Sequence, residues 1–171
     1  MSPSTATIGP DALTSRAKRR ALNRPYPRAF LGSIRGVASE YLVLVAACAL
    51  VDPDVRVLIA QRPIGKSMAG LWEFPGGKVE RNEGPEDTLI RELREELGIV
   101  VDAACLAPLT FASHAYPDFH LLMPLYVCRS WHGTVMALEG QTIAWVRPNR
   151  LRGYPMPPAD EPLISHLMQL L

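Results

Sequence analysis

The chain has 171 residues, 48% hydrophobic and 20% charged, with a formal net charge of +1. That length suits one domain with a sizeable core, and the composition is ordinary for a soluble globular protein. A membrane span is excluded by length, because the apolar run Tyr41 to Val51 stops at Asp52-Pro53-Asp54.

The three cysteines, Cys48, Cys105 and Cys128, are odd in number and lack metal-type spacing, which argues against a disulfide framework and a zinc site. Free thiols in a reducing compartment, the cytoplasm, are expected. Residues 1 to 40 carry seven basic side chains (Arg16, Lys18, Arg19, Arg20, Arg24, Arg28, Arg35) against Asp11 and Glu40, a net of +5; the total of +1 therefore leaves −4 for residues 41 to 171. This leading segment is rich in Ser, Thr, Pro and Arg, has no sustained apolar period and reads as a disordered extension. An organelle-targeting presequence or a nucleic-acid-binding arm has a similar composition. A charge run is usually only solvated, so a monomer without a stable nucleic-acid partner is expected.

In chain order, Tyr41 to Leu50 and Val55 to Ala60 read as strands, and the Asp52-Pro53-Asp54 turn between them predicts a hairpin. Gln61 to Ala69 reads as a loop. Pro85 suits the first turn of a helix that Gly98 would end. Cys105 to Ser113, His120 to Arg129 and Thr142 to Val146 are candidate strands. Pro162 opens a closing helix with an apolar face of Leu163, Ile164, Leu167 and Leu170. The order implies an α/β fold, a mixed sheet flanked by helices.

The helix after Pro85 is oddly charged. At about 100° per residue, Glu92, Glu95 and Glu96 share one arc while Leu89, Leu93 and Leu97 share the next. A solvated amphipathic helix would explain the leucine stripe. It would not favour like charges at Glu92 and Glu96, which cost about 0.2–0.5 kcal/mol at i,i+4, nor anions near the helix C-terminus. A divalent cation would offset both, since Mg²⁺ takes carboxylate oxygens directly.

The spacing is Gly77, five residues, Glu83, seven residues, Arg91-Glu92-Leu93, one residue, Glu95-Glu96, one residue, Gly98-Ile99. With all nine positions filled, it resembles the Nudix hydrolase signature, and Trp72 to Lys78 resembles the segment before it in the MutT-like branch. The resemblance runs from about Val43 to the C-terminus. It implies an α/β/α sandwich with a mixed β-sheet over residues 41 to 171, and Mg²⁺ as cofactor with Mn²⁺ as a possible substitute.

The resemblance also implies roles. Glu92 and Glu96 would be the principal metal ligands, assisted by Glu95, the Gly76 carbonyl and Glu139, the last as a further ligand or general base. Glu83 would be structural or outer-shell, and Arg91 would orient the glutamates. Cations held there would neutralise the polyphosphate and lower the pKa of a bound water. Arg62, Ser67, Glu73, Phe74, Pro75, Gly76 and Lys78 are candidate contacts to a nucleoside triphosphate. Asp160, in Pro157-Pro158-Ala159-Asp160-Glu161-Pro162, stands where MutT-like enzymes read the base, although MutT has asparagine there. Asparagine both donates and accepts, whereas an ionised aspartate only accepts. To satisfy O6 of an oxidised guanine, Asp160 would need a proton held by burial; ionised, it would suit the cytosine amino group. The expected activity is 8-oxo-dGTP diphosphatase, with CTP or 5-methyl-dCTP pyrophosphohydrolase as the alternative. A non-catalytic nucleotide-sensing module would typically have lost a metal glutamate, and none is lost here.

Overall fold

The computed structural model describes residues 41–171, so the expectation of a disordered extension over 1–40 lies outside the described residues. Among the described residues, seven strands and two α-helices follow one another: β1 (Leu42–Leu50), β2 (Val57–Gln61), β3 (Trp72–Glu73), β4 (Gly76–Lys78), α1 (Pro85–Leu97), β5 (Ala107–Ala115), β6 (His120–Cys128), β7 (Thr142–Val146) and α2 (Glu161–Leu170). Short 3₁₀ turns stand at Ala103–Cys105 and Pro148–Gly153. Among the described residues no helix is long and apolar enough to cross a membrane.

The strands form a mixed sheet in the order β4-β1-β6-β5 and a three-stranded antiparallel sheet β3-β2-β7. β1 is the hub of the first, parallel to β6 and antiparallel to β4. Its near-continuous apolar sequence follows, because both faces are covered. Ala46, Cys48 and Leu50 pack in one core with Leu89, Leu93 and Leu97 of α1, while Ala47, Ala49 and Val51 pack in another with Leu163, Ile164 and Leu167 of α2. This is the expected mixed α/β architecture with a helix on each side.

The hairpin expectation needs correction. Asp52 organises the turn, accepting hydrogen bonds from the amides of Asp54 (3.0 Å) and Arg56 (2.8 Å) and from Arg56 Nε (2.7 Å). Beyond the single Val51–Val57 bridge, however, β1 and β2 separate into different sheets. Each builds its ladder elsewhere, β1 with β4 and β6 and β2 with β3 and β7. Strands β3 and β4 escape sequence reading because they have only two and three residues. Leu170 lies off the buried face of α2, 49% exposed.

Helix α1 ends as anticipated, with Gly98 in the left-handed conformation at φ 69° and its amide donating to the carbonyls of Arg94 and Leu93. At its start, Pro85 occupies the first turn and the Asp87 carboxylate accepts from the Gly84 amide at 3.2 Å. Leu89, Leu93 and Leu97 are fully buried, which fixes the helix's rotation and turns Glu92 and Glu96 toward β4.

Candidate active site

The floor of the site is the pairing of Val45, Ala46 and Ala47 on β1 with Lys78, Gly77 and Gly76 on β4. Both glycines are required by close approach: a Cβ at Gly76 would overlap the Ala46 carbonyl, and one at Gly77 would overlap the Glu92 carboxylate. Above this floor opens a cleft of about 280 Å³ whose acidic lining is Glu73, Glu96, Glu139 and Asp160. Arg62, Lys66 and Lys78 supply its positive charge.

Glu96 bears the strongest electrostatic load. Burial, and then the neighbouring carboxylates of Glu92, Glu73 and Glu139, push its carboxyl up to about 8, against a backbone hydrogen bond from Gly76 that acts the other way. Glu73 is also raised by burial, opposed by its ion pair with Arg62. An all-oxygen donor set with accumulated negative charge fits a hard divalent cation. The side chains do not yet form a cage: among the described residues no three acidic, histidine or cysteine side chains converge to metal-holding distances. Glu92 is held at 2.8 Å by Arg91, and Glu139 at 2.7 Å by Lys66.

Arg91 ties the motif together. Its guanidinium forks onto Glu83 with two hydrogen bonds of 2.8 and 3.0 Å and also reaches Glu92. That contact, helped by Thr88 Oγ1, brings the Glu83 carboxyl down to about 2. Glu83 does not line the cleft and meets the helix through Arg91. Glu95 departs from its expected place beside Glu96. It is exposed, with Arg91 one helical turn back at 3.3 Å, and like Glu92 it does not line the cleft.

Glu139 comes from the loop before β7. Gln141 places it: its side-chain amide donates to the Glu96 carbonyl at 2.8 Å, and its oxygen accepts from the Glu139 amide at 2.8 Å. Sequence reading missed Gln141 because a single glutamine in a loop carries no periodic or motif signal. Lys66 was missed for the same reason.

A second recess of about 350 Å³ adjoins the cleft and shares Arg62, Glu73, Lys78, Met123 and Asp160 with it. Its apolar wall includes Tyr116 and Phe119, whose rings stack with centroids 4.8 Å apart. Ser67 also borders it, but its carbonyl is taken by Arg62 Nε at 2.6 Å. Phe74 lines the cleft, yet its ring is 4% exposed and packs in the core. What it presents is backbone: its amide donates to Asp160 Oδ1 at 3.4 Å. Pro75 likewise acts through its carbonyl, which accepts from Cys48.

Asp160 sits at the start of α2, 5% exposed. The segment before it is anchored by the Trp72 amide on the Pro155 carbonyl (2.8 Å) and by the edge-on contact of Trp72 with Tyr154. Burial, then the charge of Glu73, pushes the Asp160 carboxyl up to about 7. A buried carboxyl in that range carries its proton for part of the neutral pH range.

A site with these parts has counterparts elsewhere. The NUDIX domain model matches residues 46–166. The chain is 38% identical to the CTP pyrophosphohydrolase of Escherichia coli (strain K12) over 130 residues, 75% of this chain and 93% of that protein. It is 42% identical to the 8-oxo-dGTP diphosphatase of Proteus vulgaris over 96 residues, covering 56% and 84% of the two chains. The solution structure of the E. coli ORF135 protein superposes with a TM-score of 0.67 at 36% identity, covering 76% of this chain and 91% of that one. Motif spacing, fold and these likenesses agree, and the chain belongs to the Nudix hydrolase family.

Proposed function

We propose that the protein is a nucleoside triphosphate pyrophosphohydrolase whose preferred base is 8-oxoguanine, so that 8-oxo-dGTP yields 8-oxo-dGMP and pyrophosphate. Enzymes of this family generally need a divalent metal, and we take it to be Mg²⁺, with Mn²⁺ as a substitute. Glu96, Glu92, Glu139 and the Gly76 carbonyl would hold it. When bound, it supplies charge neutralisation at the phosphates and a more acidic water. The chain's own residues orient the substrate: Arg62 and Lys78 bridge the cleft and the recess, and Tyr116 and Phe119 offer an apolar wall to the base.

Asp160 carries the choice of base. A protonated carboxyl donates through its hydroxyl and accepts through its carbonyl. It therefore matches the Hoogsteen edge of 8-oxoguanine, which presents the O6 acceptor beside an N7–H donor. Guanine has a bare N7 there and would face an acceptor. The burial of Asp160 and its raised carboxyl support this reading. The second reading, CTP or 5-methyl-dCTP, is favoured by the 38% identity to the E. coli CTP pyrophosphohydrolase and would use the ionised Asp160 against the cytosine amino group.

Turnover of 8-oxo-dGTP, dGTP, CTP and 5-methyl-dCTP with Mg²⁺ distinguishes them. The kcat/KM for 8-oxo-dGTP should exceed the others. Its ratio to that for CTP should fall as pH rises through about 7, because Asp160 then loses its donor. Equal or greater efficiency on the cytidine nucleotides overturns the base assignment.

A further inference from the structure

Of the cations facing the cleft, Arg62 is committed to Glu73 and to the Ser67 carbonyl. Lys66 is committed only to Glu139, 2.7 Å away across the cleft mouth and far along the chain. Both partners remain substantially exposed, Lys66 at 53% and Glu139 at 41% of their side chains. An exposed pair of this kind contributes about 0–1 kcal/mol, too little to hold two loops together. Nor is it needed for that. The Arg62–Leu71 loop is closed by the Arg62 amide on the Leu71 carbonyl (2.9 Å), the Gly70 amide on the Arg62 carbonyl (3.0 Å) and Gln61 Nε2 on the Gly70 carbonyl (2.9 Å). The Glu139 loop is closed by Gln141.

Position separates Lys66 from its loop neighbours. Lys66 lines the cleft together with Gly76, Glu96 and Glu139, and does not reach the aromatic recess. Ser67 and Met68 do the reverse. The ammonium therefore stands at the carboxylate end of the site, remote from the base wall. Its flexible four-carbon stem can sweep several ångströms without moving the backbone. In its present place it neutralises a carboxylate that a divalent cation would otherwise claim.

We propose that Lys66 is a polyphosphate-binding residue that occupies Glu139 in the free protein and passes to the terminal phosphates of the nucleotide when a divalent cation takes that carboxylate. The inference rests on the pyrophosphohydrolase reading above. It has two consequences of opposite sign. Without nucleotide, Lys66 competes with metal for Glu139. With nucleotide, it adds a charge-assisted contact that the triphosphate and pyrophosphate can make but the nucleoside monophosphate cannot. A lysine serving only to latch two loops would show the first effect but not the second.

The test compares the full-length wild type with Lys66→Met and Lys66→Arg. Electron paramagnetic resonance titration of Mn²⁺ into nucleotide-free protein should show tighter binding in Lys66→Met. Steady-state kinetics should show KM for the triphosphate, and the inhibition constant of pyrophosphate, raised about ten- to a hundredfold in Lys66→Met. The kcat and the inhibition constant of the nucleoside monophosphate should stay near wild type, and Lys66→Arg should recover most of the KM. Unchanged KM and pyrophosphate inhibition, an equal loss for the monophosphate, or a Mn²⁺ affinity that does not rise would each overturn the proposal. The outcomes remain separable from failure of the hydrolase reading. A wild type that releases no pyrophosphate from any triphosphate sinks that reading, while direct calorimetry of Mn²⁺ and pyrophosphate on the variants still decides Lys66.

Discussion

Gly77 leaves, against β4, the space that the Glu92 carboxylate fills: a Cβ there would overlap the carboxylate carbon and oxygen. Gly77→Ala should therefore act through Glu92. The clashing atoms belong to the far end of a flexible side chain, so the fold should lose only about 1 kcal/mol. Displacing a metal-site carboxylate by even about 1 Å costs on the order of a hundredfold in rate. Urea unfolding and kcat on the same sample check this; a variant with near-wild-type kcat would sink the assigned role of Glu92.

Glu96 predicts a metal-dependent stability. Its carboxylate is half buried among Glu92, Glu73 and Glu139, so neutralising it should help the metal-free fold. Glu96→Gln is expected to melt higher than wild type in EDTA, to lose most of the rise in Tm that Mg²⁺ brings to the wild type, and to release no pyrophosphate. Differential scanning fluorimetry with and without MgCl₂ measures the first two directly.

Asp160 predicts a loss of stability toward alkaline pH. Its carboxyl is raised in the folded protein to about 7 from an ordinary 3.8, so the native state binds more protons than the unfolded chain between those values. The stabilisation is complete below pH 3.8 and disappears as pH rises through about 7. Asp160→Asn, which cannot ionise, should show a smaller fall in Tm between pH 5 and pH 8.5 than wild type. Parallel curves for the two proteins would show that Asp160 does not titrate in that window.

Asp52 holds a turn away from the cleft. It is 8% exposed and accepts three hydrogen bonds that shape the turn between β1 and β2. Asp52→Ala should cost about 1–3 kcal/mol, since three part-buried hydrogen bonds lose their acceptor, while kcat/KM at 25 °C stays near wild type. Denaturant unfolding alongside turnover of the same preparation tests both halves.

The aromatic wall lets the proposed base binding be tested apart from phosphate binding. Phe119 stacks on Tyr116 beside the recess and stands away from the acidic cleft. Phe119→Ala should raise the inhibition constant of the nucleoside monophosphate product about tenfold, in line with the worth of an aromatic stacking contact, and leave inhibition by inorganic pyrophosphate unchanged. A matching loss for pyrophosphate would place Phe119 in the scaffold instead.

What the sequence determined by itself was the chemistry that repeats along a helix and the elements with strong local signals. Gly77, Glu83, Arg91, Glu92, Glu96 and Gly98 work within one short segment, where helical periodicity converts spacing into geometry, and the leucine stripe at 89, 93 and 97 tells which side is buried. The capped helix, the long strands and the closing helix were legible for the same reason. Only tertiary structure decided the rest. The partner of β2 was settled by β4 and β6 taking both edges of β1, not by the turn beside it. The inward turn of Glu96 and the outward turn of Glu95 were settled by how α1 packs on β4. Glu139, Lys66 and Asp160 reach the cleft from separate loops, and the proton affinity of Asp160 comes from burial beside Glu73. Local spacing holds no information about which distant loop will remove water from a carboxylate, and it is on that desolvation that the proposed choice of base rests.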